Sequence, residues 1–167
     1  MKPGGGKQKG AAFERKVCEQ LSRFIVPGTN ETLFWRSAMS GGRATVRHKQ
    51  GKKGDDNQAG DITCVHEAGR WLTEYFVIEC KFYSDLDIEA FILSNKGKLA
   101  KFWNEVRLLA KRHKKTPMLI AKQNRTKTLL LLTTSGVNSF DVFRVMPLPL
   151  AVVYNAHMYG YEEVICP

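Results

Sequence analysis

Nine residues, Tyr75 to Tyr83 (YFVIECKFY), constrain this chain more than any other segment. Their aromatic and β-branched content predicts a strand. Alternation along a strand sends Phe76, Ile78, Cys80 and Phe82 to one face, and Val77, Glu79, Lys81 and Tyr83 to the other. The first face reads as core. The second sets a carboxylate and an ammonium two residues apart in an otherwise apolar strand, where desolvated charge is costly unless something compensates it. Two readings fit that pattern: a solvent-exposed ion pair, or a site where the charges meet a bound cation. Gly60-Asp61-Ile62 opens an earlier apolar stretch. A hairpin of Asp61 to His66 with Trp71 to Tyr83, turning at Glu67 to Arg70, would bring Asp61 beside Glu79. Two converging carboxylates with a lysine form a hard oxygen site suited to Mg²⁺ or Mn²⁺, although an aspartate after glycine is also ordinary turn chemistry.

The length of 167 residues suits one domain able to bury roughly two thirds of its unfolded surface. Twenty-six lysines and arginines against 16 acidic residues give a net charge of +10, which favours a polyanionic partner, most often nucleic acid. No apolar run approaches the roughly 20 residues needed to span a bilayer, so no membrane association is expected. Residues 1–10 are rich in Gly and Lys and read as a flexible basic N-terminus. They lack the apolar core of a secretory signal, so a cytoplasmic protein is expected, near the nucleoid or in the host-cell cytoplasm if viral. Cys18, Cys64, Cys80 and Cys166 are too scattered for a zinc ribbon and read as reduced core thiols. The four histidines are dispersed, and no P-loop is present.

Along the chain, Phe13, Val17, Leu21 and Phe24 predict an amphipathic helix over Ala11 to Ile25, stopped by Pro27-Gly28. A short strand at Thr32 to Arg36 precedes a glycine-studded loop, 37–60, carrying Arg43, Arg47, His48, Lys49, Lys52 and Lys53. A loop of this length in a compact domain is usually functional or disordered, and it reads as mobile. Helices are expected at Ile88 to Leu93 and Lys98 to His113, then strands at Pro117 to Ala121, Thr126 to Thr133 and Leu148 to Tyr154. Trp35, Trp71 and Trp103 are expected in the core. Two basic groups stand out, the 37–60 loop and Lys111, Arg112, Lys114 and Lys115 at the end of the long helix. Each could be a solvated face or a set of phosphate contacts that position DNA without reading its sequence.

The arrangement of Asp61 and Glu79-Cys80-Lys81 behind a helix bearing Glu14 resembles the PD-(D/E)XK nuclease superfamily, most closely the archaeal-type Holliday-junction resolvases. Lys9-Gly10 with Phe13-Glu14-Arg15 looks like that family's opening helix. Arg36 through Ser40-Gly41-Gly42 looks like its Ser-Gly loop, and Lys98 to Lys122 like its helix leading into a Pro-initiated strand. The likeness covers Lys7 to Leu132. Gly60 stands where the family usually has proline, and the glutamine many relatives carry on the following helix is absent.

This resemblance implies an α/β restriction-endonuclease-like core, a central mixed β-sheet flanked by α-helices, over residues 11–135, with 136–167 as an extension packed on the core or at a dimer interface. It implies Mg²⁺, or Mn²⁺ as substitute, held by Asp61, Glu79, the Cys80 backbone carbonyl and Glu14. Lys81 would orient the attacking water and stabilise phosphate charge, while Ser40 and Arg36 would contact the scissile phosphate. The implied enzyme is a Mg-dependent endodeoxyribonuclease, resolving DNA junctions as a homodimer with two sites related by a two-fold axis. The alternatives are a phage- or restriction-type endonuclease acting on duplex DNA, and a non-catalytic DNA-binding protein of the same fold. Without the resemblance, Glu14 reads as a surface partner of a neighbour such as Lys9.

Overall fold

A computed structural model of the protein describes residues 5–37, 59–133, 151–153 and 156–165. Helix α1 spans Gly5–Ile25 and buries Phe13, Val17, Cys18 and Leu21 on one stripe. It starts at Gly5 rather than Ala11, so residues 5–10 extend the helix where a flexible arm was expected. The added turns are held by tertiary contacts that local propensity does not report. Lys9 Nζ donates to Asn124 Oδ1 at 2.6 Å and lies 3.9 Å over the Phe82 ring. At the other end, Ser22 Oγ donates to the Cys18 carbonyl and accepts the Leu33 amide, tying the helix to the chain that leaves it.

Strands β1 (Phe34–Arg36) and β2 (Ile62–Cys64) form an antiparallel ribbon with Trp35 opposite Thr63. The hairpin expected between Asp61 and Tyr83 does not form. Glu67–Gly69 make one 3-10 turn and Arg70–Tyr75 form helix α2, so the long strand β3 begins at Phe76 and ends at Tyr83. Burial explains the correction: Leu72 and Thr73 are both buried while Glu74 and Tyr75 are both exposed, a helical pattern rather than a strand's alternation. His66 Nδ1 starts the turn by accepting the Ala68 amide at 3.2 Å.

Strand β3 pairs in parallel with β4 (Thr116–Gln123), from Phe76 opposite Thr116 to Tyr83 opposite Gln123. Parallel neighbours need a long crossover, supplied by helices α3 (Ile88–Ser94) and α4 (Gly97–Arg112). Strand β5 (Thr128–Leu132) continues antiparallel to β4. The sheet order is β3-β4-β5-β7-β6, with β6 at Ala151–Val153 and β7 at Ala156–Gly160. A last helix, α5 (Tyr161–Ile165), follows β7 directly.

Each face of this mixed sheet has its own core. Phe76, Ile78 and Cys80 join Met118, Ile120, Leu130 and Leu132 beneath α1 and α5. Val77 joins Leu119, Ala121, Leu129 and Leu131 beneath Leu99, Trp103, Val106 and Ala110 of α4. The expected α/β architecture, a mixed sheet flanked by helices, is therefore present. Of the expected 136–167 extension, the described residues are built into this core: β7 sits inside the sheet, and Tyr159, Tyr161, Val164 and Ile165 belong to the first core. Of the tryptophans, Trp103 is core and Trp71 is half-buried. Trp35 is 60% exposed because only the Phe34 side of the narrow ribbon faces the core. Among the described residues no helix is long and apolar enough to cross a membrane.

Candidate active site

Asp61 is fixed from three directions on the open edge of β3. Its amide donates to the Ile78 carbonyl at 2.8 Å, and its own carbonyl accepts the Ser37 amide at 2.8 Å. Its Oδ2 accepts the Cys80 amide at 2.9 Å. Gly60 makes this approach possible. Its φ is +92°, and a Cβ there would lie 2.5 Å from the Ile78 carbonyl oxygen. Proline, confined to φ near −65°, could not take this conformation, which accounts for glycine at this position. Asp61 thus reaches Glu79 by a direct bridge onto β3 rather than through the expected hairpin.

Glu79 and Lys81 share the α4-facing side of β3, as alternation predicts, with Glu79 at mid-strand opposite Leu119 and Lys81 opposite Ala121. Lys81 Nζ is 2.5 Å from Glu79 Oε2 and 3.6 Å from Asp61 Oδ2. Two carboxylates therefore converge on a single ammonium. The reading of Glu79 and Lys81 as a solvent-exposed pair does not hold, since their side chains are only 17% and 23% exposed. Burial, and then the charge of Asp61, push the Glu79 carboxyl up to about 7. Burial works against the Lys81 ammonium, but Glu79 and Asp61 together outweigh it and raise its pKa.

The Cys80 backbone completes this edge. In a strand the amide and carbonyl of one residue point to the same side, and the Cys80 amide points away from β4 to Asp61. Its carbonyl therefore also leaves the open edge of the sheet. The Cys80 thiol lies on the other face, where burial raises its pKa well above the usual value; burial likewise pushes Cys18 up to about 12. Both are buried core thiols, Cys64 is partly exposed, and Cys166 lies outside the described residues.

Glu14 does not pair with Lys9. Its Oε2 accepts Arg36 Nε at 2.5 Å, joining α1 to β1. Among the described residues no three His, Cys, Asp or Glu side chains cluster closely enough to hold a metal ion. The expected four-ligand set is thus only partly assembled. Asp61, Glu79 and the Cys80 carbonyl share one edge, while Glu14 and Arg36 engage each other.

The expected DNA contacts divide. Ser40, Arg43, Arg47, Lys49, Lys52 and Lys53 lie outside the described residues. Lys111, Arg112, Lys114 and Lys115 sit at the opposite end of the sheet from Glu79 and Lys81. Phe76 is in register with Thr116, and Lys115 Nζ donates to the Thr73 carbonyl at 2.7 Å, ahead of β3. With about 3.3 Å per residue, this group lies on the order of 10–17 Å along the strand from the carboxylates. A parallel β3-β4 pair dictates that separation, because the end of α4 feeds the start of β4. Lys9, Lys16 and Lys122 instead line a cleft beside the end of β3, on the α1 face of the sheet rather than the α4 face that carries Glu79 and Lys81. The three cleft lysines stand too far apart in sequence to have formed a recognisable cluster.

No curated protein and no solved structure matches the chain. The model of one family, described as phage putative PDDEXK endonuclease, matches residues 5–160. That span takes in the Asp61 and Glu79-Cys80-Lys81 edge, the α1 and β1 elements joined by Glu14 and Arg36, and β7, which the resemblance to resolvases had left out. The chain belongs to the phage putative PDDEXK endonuclease family.

Proposed function

We propose that this protein is a divalent-metal-dependent endonuclease that hydrolyses DNA phosphodiester bonds at the open edge of β3. The observation that carries this reading is the convergence of Asp61 and Glu79 on the Lys81 ammonium. The donor set fits a hard cation such as Mg²⁺ or Mn²⁺: two hard carboxylates crowded until one resists ionisation, with a backbone carbonyl directed to the same edge. Asp61, Glu79 and the Cys80 carbonyl would hold it. A divalent cation bound there supplies Lewis-acid polarisation of the phosphoryl group and favours ionisation of water.

The protein's own groups do the rest. Lys81 keeps its proton and offers a fixed positive charge where the phosphate oxygens become more negative. Its ammonium also orients the attacking water by hydrogen bonding. The Cys80 amide holds Asp61 in one rotamer, so the carboxylate needs no reorganisation during the reaction. Arg36, anchored by Glu14, sets positive charge at the β1 side of the site. Ser40 contacts the phosphate in this reading, and the protein works in the cytoplasm of the cell where its DNA substrate lies.

The family description favours a phage-type enzyme, and duplex DNA is the substrate this reading assigns to it. Junction resolution by a homodimer rests on the resemblance of the opening helix, the Ser-Gly loop and the Lys98 to Lys122 helix and strand alone. Cleavage of labelled four-way, branched and linear DNA in Mg²⁺ or Mn²⁺ separates these readings, comparing wild type with Glu79→Ala and Lys81→Ala. Cutting of linear duplex that both substitutions abolish supports the phage-type enzyme. Symmetric cutting confined to junctions would replace it with a resolvase. No metal-dependent cutting of any substrate would leave a DNA-binding protein of the same fold.

A further inference from the structure

An aromatic wall stands beside Lys81 on the α4 face of β3. Alternation puts Tyr83 on the same face as Glu79 and Lys81, at the last position of the strand. Phe102 of α4 packs against Tyr83, their ring centres 5.0 Å apart. The Lys81 Nζ on which both carboxylates converge lies 5.9 Å from the centre of the Phe102 ring. Carboxylates, ammonium and aromatic pair therefore follow one another along one face. Phe102 is half-buried against the second core, whereas Tyr83 is 43% exposed. The inner ring thus braces the outer one.

A single exposed aromatic means little by itself, but this one is held next to the group that meets the phosphate in the proposed reaction. We infer that Tyr83, braced by Phe102, is the surface on which the nucleoside beside the cleaved phosphate packs. The inference rests on the endonuclease reading and deepens it by adding a substrate-binding residue to the same site. A nucleotide joins an anionic phosphate to an uncharged nucleoside with flat ring faces. The protein presents the matching order, an ammonium at Lys81 and then an uncharged aromatic face. Because Phe102 already limits the Tyr83 ring, little conformational freedom is lost when DNA packs on it. The acidic residues that follow have partners of their own: Asp85 Oδ1 accepts the Asp87 amide at 2.9 Å, and Asp87 Oδ1 lies 3.5 Å from Lys98 Nζ. Such packing tolerates any sequence, since every nucleoside offers a ring face.

The test measures binding of a labelled 20-base-pair duplex, with Ca²⁺ in place of Mg²⁺, across a salt series. It compares wild type with Tyr83→Phe, Tyr83→Leu and Tyr83→Ala, and with Leu108→Ala, which removes an exposed apolar side chain on the solvent side of α4. One aromatic contact to a nucleotide contributes on the order of tenfold in affinity, so Tyr83→Leu and Tyr83→Ala should each bind about tenfold more weakly. The loss should be equal at every salt concentration, because a ring face releases no counterions. Tyr83→Phe and Leu108→Ala should bind as wild type. Leucine keeps apolar contact with Phe102, so Tyr83→Leu should keep the wild-type melting temperature and separates a role in binding from support of the fold. Wild-type affinity in Tyr83→Leu would show that the ring serves only to cover Phe102 and overturns the inference. A loss in Tyr83→Phe as large as in Tyr83→Leu, or a loss that changes the salt slope, overturns it too, since the hydroxyl or a phosphate contact would then carry the effect. Each of these leaves the endonuclease reading intact if wild type cleaves DNA in Mg²⁺. Wild type that neither binds nor cleaves DNA overturns both.

Discussion

A Cβ on Gly60 would lie 2.5 Å from the carbonyl oxygen of Ile78, the same oxygen that accepts the Asp61 amide. The catalytic aspartate of the proposed mechanism is therefore docked through a contact that only glycine allows. Gly60→Ala should cost on the order of 1–3 kcal/mol, from the positive φ and the displaced bridge. It should also lower cleavage more than Ala59→Gly, a neighbour outside the bridge. Thermal unfolding together with initial cleavage rates checks this; a Gly60→Ala enzyme of wild-type rate would show that the bridge does not place Asp61.

Removing the shared cation should expose the repulsion it masks. Lys81→Ala leaves Asp61 and Glu79 facing each other without an ammonium between them, and cleavage should fall about a hundredfold or more. Lys81→Arg keeps the charge but replaces a compact ammonium with a planar fork, so it should restore stability better than activity. Denaturant melts and single-turnover cleavage of the two variants separate the two contributions.

The raised Glu79 carboxyl makes stability depend on pH in a fixed direction. Between the ordinary value of 4.5 and about 7, the folded protein holds this proton more tightly than the unfolded chain. Stability of the metal-free protein should therefore fall as pH rises across that window, by on the order of 1–3 kcal/mol, and level off above it. Glu79→Gln should flatten the slope. Mg²⁺ competes with the same proton in the proposed site, so it should raise the melting temperature more at pH 8 than at pH 5.5. Melting curves in EDTA and in Mg²⁺ at several pH values test both statements.

Glu14 and Arg36 should act as a unit. The pair is partly buried and links α1 to β1, so Glu14→Gln and Arg36→Ala should each destabilise the protein, with a coupling of about 1 kcal/mol in a double-mutant cycle. If Arg36 depends on Glu14 for its placement, the double variant should cleave no more slowly than the worse single variant. Fully multiplicative losses in rate would show that the two residues work separately.

The face assignments of β3 and the amphipathic stripe of the Lys98 to His113 helix were legible because they depend on periodicity within one segment. Residues 71–75 were not, because Trp, Leu and Tyr suit a strand as well as a helix, and only the burial of both Leu72 and Thr73 decides. Asp61 and Glu79 were correctly brought together for a mistaken reason. Their meeting depends on a single bridge at Gly60, whose positive φ has no signature in a lone glycine. The Glu14–Arg36 pair and the Lys9–Asn124 contact join residues far apart in sequence, which local pattern does not register. The tail was the hardest to read: Ala156–Gly160 carries little β-branched character, and its place in the sheet comes from pairing with Leu129 to Leu132.

That pairing sets an order on assembly during synthesis. Strand β7 lies between β5 and β6, yet it follows both of them along the chain. Until residue 160 has emerged, β5 is an open edge of Leu129, Leu130, Leu131 and Leu132, ready to pair with another chain. The Asp61 and Glu79 edge is made much earlier, from residues 60–81. A nascent chain thus holds the charged residues of the candidate site long before β5 has its second neighbour, and premature termination after β5 would yield aggregates.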